Sequence, residues 1–280
     1  MNSRRVKAVS RFLRSEKAVA LPVSFLMLFV SLTLVISATY YVSVTKIENR
    51  GRILNVAVAK QNMLYLAEAA ESTEWSPGTS SVYTFEDSGG TFKTFPTAKN
   101  LQLNVTDDAT FHAVVFNSNV GKAVYELPSA EIAVYVFCLK GDSRAIINQS
   151  AFTTTQLYLS PGSPSPTLTL TYRPLVTICE TGFNDGKPVN TLRLYVTSLN
   201  TSDAIIGEGD LSIKATCTSV TSTLQTYNFS YPITSLLVKS TFDGRSDTVV
   251  VPVESNPTGA FVRIETLVCH IKLERIQGGG

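Results

Sequence analysis

The sequence predicts an α+β chain: a long N-terminal transmembrane α-helix followed by a mainly antiparallel, β-sandwich-like ectodomain. Three observations carry this. Val19 to Val44 holds no charged residue, six basic residues precede it, and the chain beyond Gly78 turns to short Thr, Val, Ser, Tyr and Leu runs broken by Gly and Pro.

The first 18 residues form a basic leader on the cytoplasmic side. Arg4, Arg5, Lys7, Arg11, Arg14 and Lys17 stand against one acid, Glu16, leaving 18 basic against 21 acidic groups in the rest of the chain. A chain so balanced outside its first residues is not a broadly basic nucleic-acid binder. Within the apolar segment, residues 19–45, the charge-free run from Val19 to Val44 spans roughly 39 Å as a helix, and a bilayer core needs about 30 Å. Fourteen of the residues from Val19 to Val44 are Val, Leu, Ile or Phe. Together they favour insertion by roughly 4 to 8 kcal/mol before the Ser and Thr costs. Positive charge on the N-terminal flank places that end in the cytoplasm and everything after Lys46 outside. Tyr40 and Tyr41 fit an outer interfacial belt. A secretory signal cut after Ala38 is the rival reading, but the apolar stretch exceeds the usual signal core and the helical pattern continues past it.

Residues 46–75 read as a helical extension, a stalk rich in Ala, Leu, Glu, Lys and Gln with no proline before Pro77. Leu54, Ala57, Val58, Leu64, Ala67 and Ala70 recur at three- and four-residue steps and predict its apolar face. Trp75-Ser76-Pro77-Gly78 predicts the stop, so the helix is expected from about Val19 to Glu74.

Residues 78–276 form the expected extracellular β-rich domain. Alternating runs are read at 131–139, 153–159, 167–172, 191–197, 211–218, 224–231, 236–241, 248–253 and 260–275. Asp243-Gly244 predicts a hairpin turn. The Ser/Pro-rich stretch from Ser160 to Pro166 allows a domain split near 165, and residues 277–280 read as a flexible tail. Cys138, Cys179, Cys217 and Cys269 all lie in this exported part, an even count that permits two disulfides, and at least one is expected. Asn104, Asn148, Asn200 and Asn228 head acceptor patterns for N-glycosylation, compatible with a glycoprotein at the cell surface.

Sites for chemistry are scarce. His112 and His270 are the two histidines, and Cys269 and His270, adjacent in a strand, point to opposite faces. No metal site, cofactor motif or catalytic residue is expected, and the protein is not read as an enzyme. Asp107-Asp108 and Glu208-Gly209-Asp210 read as solvated loop acids.

The N-terminus resembles that of archaeal type IV pilins and related surface-filament subunits. The resemblance rests on a basic leader ending in Glu16-Lys17-Ala18, then Val19-Ala20-Leu21-Pro22-Val23, then an apolar helix that continues as an amphipathic one. It covers about 60 residues and not the β-rich head. It implies that a prepilin-type peptidase cuts between Ala18 and Val19, and that the freed helix bundles with copies of itself or with other pilin-like subunits. Proline is often third in the mature family, whereas Pro22 would be fourth here; Val23 stands where bacterial relatives carry a glutamate. Membrane lipid and like subunits are thus the expected partners, with no nucleic acid. The alternative is a single-pass anchored ectodomain for adhesion or for carbohydrate or surface-layer binding, not assembled into a filament.

Overall fold

The computed structural model describes residues 16–107, 109–128, 136–149, 152–162, 165–199 and 204–276. It contains one long apolar N-terminal helix and a mostly antiparallel β-rich domain. The helix, α1, covers Glu16–Glu71. The chain divides into two compact units, Met1–Leu54 and Asn55–Gly280, so α1 contributes to both. No boundary falls near 165. Thr155–Ser160 (β5) and Thr167–Tyr172 (β6), on either side of that position, pair antiparallel along their whole length within one sheet.

In the first unit the apolar side chains of α1 from Val23 to Val42 are exposed: Phe25, Leu28, Phe29, Leu34 and Ile36 are each at least 60% accessible. Polar side chains in this stretch bond within the helix. Ser31 Oγ donates to the Leu28 carbonyl, and Thr33, Thr39 and Thr45 each donate to the carbonyl four residues back, at 2.8–2.9 Å.

In the second unit the helix becomes amphipathic. Val56, Ala59, Met63, Leu66, Ala67 and Ala70 are buried at three- and four-residue steps. Burying Val56, Met63 and Leu66 contributes roughly 1.5–3 kcal/mol each. The expected apolar face was out of phase: Ala67 and Ala70 are buried, whereas Leu54 and Ala57 are exposed and Val58 and Leu64 half-buried. Spacing by threes and fours does not by itself separate two neighbouring stripes of an Ala-rich helix. Asn62, buried on the same face, locks α1 to the sheet: its Nδ2 donates to the Glu86 carbonyl at 2.8 Å and its Oδ1 accepts from Tyr83 Oη at 2.8 Å. Asn62→Ala leaves these groups unpaired, and the expected cost is about 2 kcal/mol in a chemical-denaturation series. A loss below about 0.5 kcal/mol would show that water replaces the amide.

The described strands form two sheets. The five-stranded sheet runs β1 (Ser80–Phe85), β10 (Leu211–Phe229), β13 (Ala260–Ile276), β8 (Lys187–Leu199), β7 (Leu175–Asn184). The eight-stranded sheet runs β12 (Arg245–Pro252), β11 (Ser235–Phe242), β2 (Thr91–Thr106), β3 (His112–Glu126), β6, β5, β4 (Phe137–Lys140), with β9 (Ile206–Glu208) pairing β2. Among the described pairs of strands only β13 and β8 run parallel. Both sheets contribute to two apolar clusters. One joins Leu157, Leu168, Ile213 and Ile271 with the buried face of α1, and the other joins Leu101, Leu103, Val196, Leu236 and Val262.

The turn at Asp243-Gly244 forms as expected, joining β11 to β12 with φ of +53° and +76°. Two positive φ values in a two-residue loop match the twist of the flanking strands, and Asp-Gly accepts them with little strain. Asp185-Gly186 does the same between β7 and β8, with φ of +50° and +75°. The runs read at 211–218 and 224–231 prove to belong to one strand, β10, with a register shift between Cys217 and Ser219. Most of the run at 131–139 lies outside the described residues.

Candidate functional site

Two features of the described residues could serve recognition: the apolar surface of α1, and an open polar cleft in the β-rich unit. The first is built by composition alone. By length and hydropathy α1 can cross a membrane, and the most apolar part of its surface is not covered within the chain. Hydroxyls that bond the preceding turn satisfy their own donors without water, which suits a helix immersed in lipid or packed among apolar helices. Pro22 lies inside α1 and interrupts its hydrogen-bond ladder. In a helix beginning at Val19, Pro22 would fall in the first turn, where backbone N–H groups have no intrahelical partner anyway.

The helix ends in the second unit at a polar elbow. Glu71 Oε2 pairs with Lys140 Nζ at 2.7 Å, and its other oxygen accepts from Thr153 and closely from Thr155. Trp75 turns the chain with φ +63°, an unusual conformation for a bulky residue, and its ring meets Tyr195 edge-on at 5.3 Å. Between them sits Glu74, whose Oε1 is sealed from solvent with no hydrogen-bond partner among the described residues. Burial, then the neighbouring Glu71 charge, pushes its carboxyl up to about 7, against hydrogen bonds from Trp75 and Thr197 and the charge of Lys140. Both acids also oppose the negative end of the α1 dipole.

The folded state keeps the Glu74 proton up to about pH 7, whereas the unfolded chain releases it near 4.5. The native state therefore binds more protons between those values, and stability falls as pH rises through that window. The loss amounts to roughly 3 kcal/mol, complete above pH 7. Denaturation midpoints at pH 4.5 and 8 should show it. Glu74→Gln should flatten the difference, and an unchanged slope in that variant would exclude Glu74 as the source.

The cysteines correct the expectation of a disulfide: all four thiols are free. Cys138 is on β4 of one sheet and exposed Cys179 on β7 of the other. Cys217 and Cys269 are buried on adjoining strands with sulfurs 3.6 Å apart, hydrogen-bonding distance and well beyond the roughly 2.05 Å of a bond. Burial pushes the Cys269 thiol up to about 12. His112 lies exposed on β3 and half-buried His270 on β13, in different sheets, and no cluster of three or more potential metal ligands occurs among the described residues. Asp107 caps the β2–β3 turn, its carboxylate taking the N–H groups of Ala109, Thr110 and Phe111; these bonds, with that of Tyr231, bring it to about 2 despite the opposing effect of burial. Asp108 lies outside the described residues. Glu208 and Asp210 accept bonds from Thr91 and from the Asp87 amide. Asn148 and Asn228 are exposed, Asn104 is half-buried within β2, and Asn200 lies outside the described residues. At the proposed leader junction, Ala18 and Val19 are helical.

The cleft, of about 590 Å³, was not legible in the sequence because its walls come from β2, β5, the segment after β4 and the β11–β12 hairpin. At its heart is Lys99, whose side chain is 5% exposed and whose Nζ lies 3.0 Å from both Asp243 Oδ2 and Tyr158 Oη. The register of β2 against β3 breaks between Phe95 and Lys99, around Pro96, which cannot donate to the ladder. Comparison of the chain with protein-family models, with curated proteins and with solved structures finds no match.

Proposed function

We propose that the chain is a structural cell-surface protein: a pilin-like subunit held in the cell membrane by α1, with its N-terminus cytoplasmic and its β-rich unit outside, and assembled through α1. The observation that carries this reading is the uninterrupted apolar exposure of α1 from Val23 to Ile36, with the hydroxyls of Ser31 and Thr33 turned back onto its own backbone. Such a surface is stable in lipid or among like helices, and water is its least favourable surrounding. The leader Glu16-Lys17-Ala18 and the place of Pro22 support processing between Ala18 and Val19 by a prepilin-type peptidase. One segment then serves as membrane anchor before assembly and as filament core after it.

The reading is tested on material sheared from the surface of cells that make the protein. Filaments containing the chain are expected, and particle size should collapse when detergent competes for the apolar helix. A detergent-soluble monomer with no filament in any fraction would instead favour an anchored adhesion ectodomain.

A further inference from the structure

The cleft beside Lys99 is a built site rather than a surface dip, and its floor is held rigid from below. Arg173, fully buried, donates to the Thr153 and Arg144 carbonyls and to the Asp142 carboxylate. Gln156 Nε2 donates to the Asp142 and Arg144 carbonyls at 2.7 and 2.9 Å, and Asp247 Oδ2 accepts the Ala145 N–H at 2.5 Å. The segment after β4 is thereby fixed to both β5 and the β11–β12 hairpin. Fixed polar groups bind without first having to be ordered.

The chemistry of the lining limits the ligand. Asp243 neutralises Lys99, Asp142 is paired with two arginines, and Arg245 makes no ion pair among the described residues while Asp247 stands two residues along the same strand. An anion entering here meets three carboxylates, and a cation meets Lys99 and Arg245. What the lining offers instead is closely interleaved donors and acceptors. Tyr158, accepting from Lys99, keeps its own proton to donate; Arg245 supplies free N–H groups; and Asp243 and Asp247 each have a second oxygen. Val136, exposed at the rim, and the Tyr158 ring add an apolar wall. We propose that this cleft binds a neutral polyhydroxylated ligand, a short saccharide, whose hydroxyls both give and accept bonds and whose C–H face lies on the apolar wall. The volume suits one or two sugar rings. This reading does not depend on assembly through α1.

The test uses the full chain in detergent micelles. Saturation-transfer NMR and calorimetry are run with glucose, galactose, mannose, N-acetylglucosamine and their disaccharides, and with inorganic phosphate as the charged probe. At least one neutral sugar is expected to bind. Tyr158→Phe and Arg245→Gln, which remove ligand-facing donors but spare the Lys99–Asp243 pair and the floor, should each weaken it about tenfold, with the melting temperature unchanged in Arg245→Gln, whose side chain makes no bond that the fold uses. The proposal is overturned by absence of binding across the sugars, by binding that neither variant weakens, or by phosphate binding in preference to every sugar.

Discussion

Replacing Leu28 and Val35 together by lysine is expected to release the protein from the membrane. The two positions are one heptad apart on one stripe of α1 and more than 60% exposed. Near the centre of a membrane helix each change from a branched apolar residue to lysine costs about 3–4 kcal/mol, and the pair about 6–8 kcal/mol. That is as large as the whole apolar drive of the segment, so no partial effect is expected. Alkaline-washed membranes should retain the wild type and lose the double variant, and filaments should be absent. Leu28 and Val35 belong to the first unit, so the β-rich unit should melt as before. This separates loss of anchoring from misfolding. Retention of the double variant in the washed membrane would mean that α1 is not what holds the chain there.

The second large effect is expected at Arg173. Its side chain is fully buried and makes bonds to the Thr153 and Arg144 carbonyls and to Asp142, whose carboxyl is held well below the usual carboxylate range by Arg144 first and Arg173 next. Arg173→Met keeps the length of the side chain but strands the Thr153 carbonyl, leaves the Arg144 carbonyl with Gln156 alone and removes half of the Asp142 partnership. Losing charge-assisted bonds of this kind costs about 1.5–3 kcal/mol, while Asp142, 39% exposed, keeps its pair with Arg144. Urea denaturation should show that loss, together with weaker order in the segment after β4 as seen by amide exchange. A loss under about 1 kcal/mol would show that the network is replaceable by water and that the floor of the cleft is not rigid.

The parts of the fold written in local pattern were legible. The charge-free run from Val19, the stop at Trp75 to Gly78, the Asp243-Gly244 turn and the alternating run from Thr167 to Tyr172 each state their structure within a few residues. What could not be read depends on distant pairing. Strand β3 carries a polar stretch, Asn117-Ser118-Asn119, that hides its alternation, and only pairing with β2 makes it a strand. Asp185-Gly186 obeys the same rule as Asp243-Gly244 and was available to be used. The even cysteine count suggested a bridge, but spacing along the chain carries no information on which thiols meet. Cys217 and Cys269 are brought together by the β10–β13 register, and Cys138 and Cys179 are held apart by belonging to different sheets. Lys99, Tyr158 and Asp243 are 59 and 85 residues apart in succession, so no motif could announce the cleft.

The N-terminal helix, and the sequence between Glu16 and Pro22 that opens it, decide the proposed role of the chain. N-terminal sequencing of the protein purified from its native membrane tests that role most directly. A processed, helix-assembled subunit predicts that the chain begins at Val19. A mature protein that retains Met1 through Ala18, or one that begins at Thr39 after loss of most of the apolar segment, would contradict it.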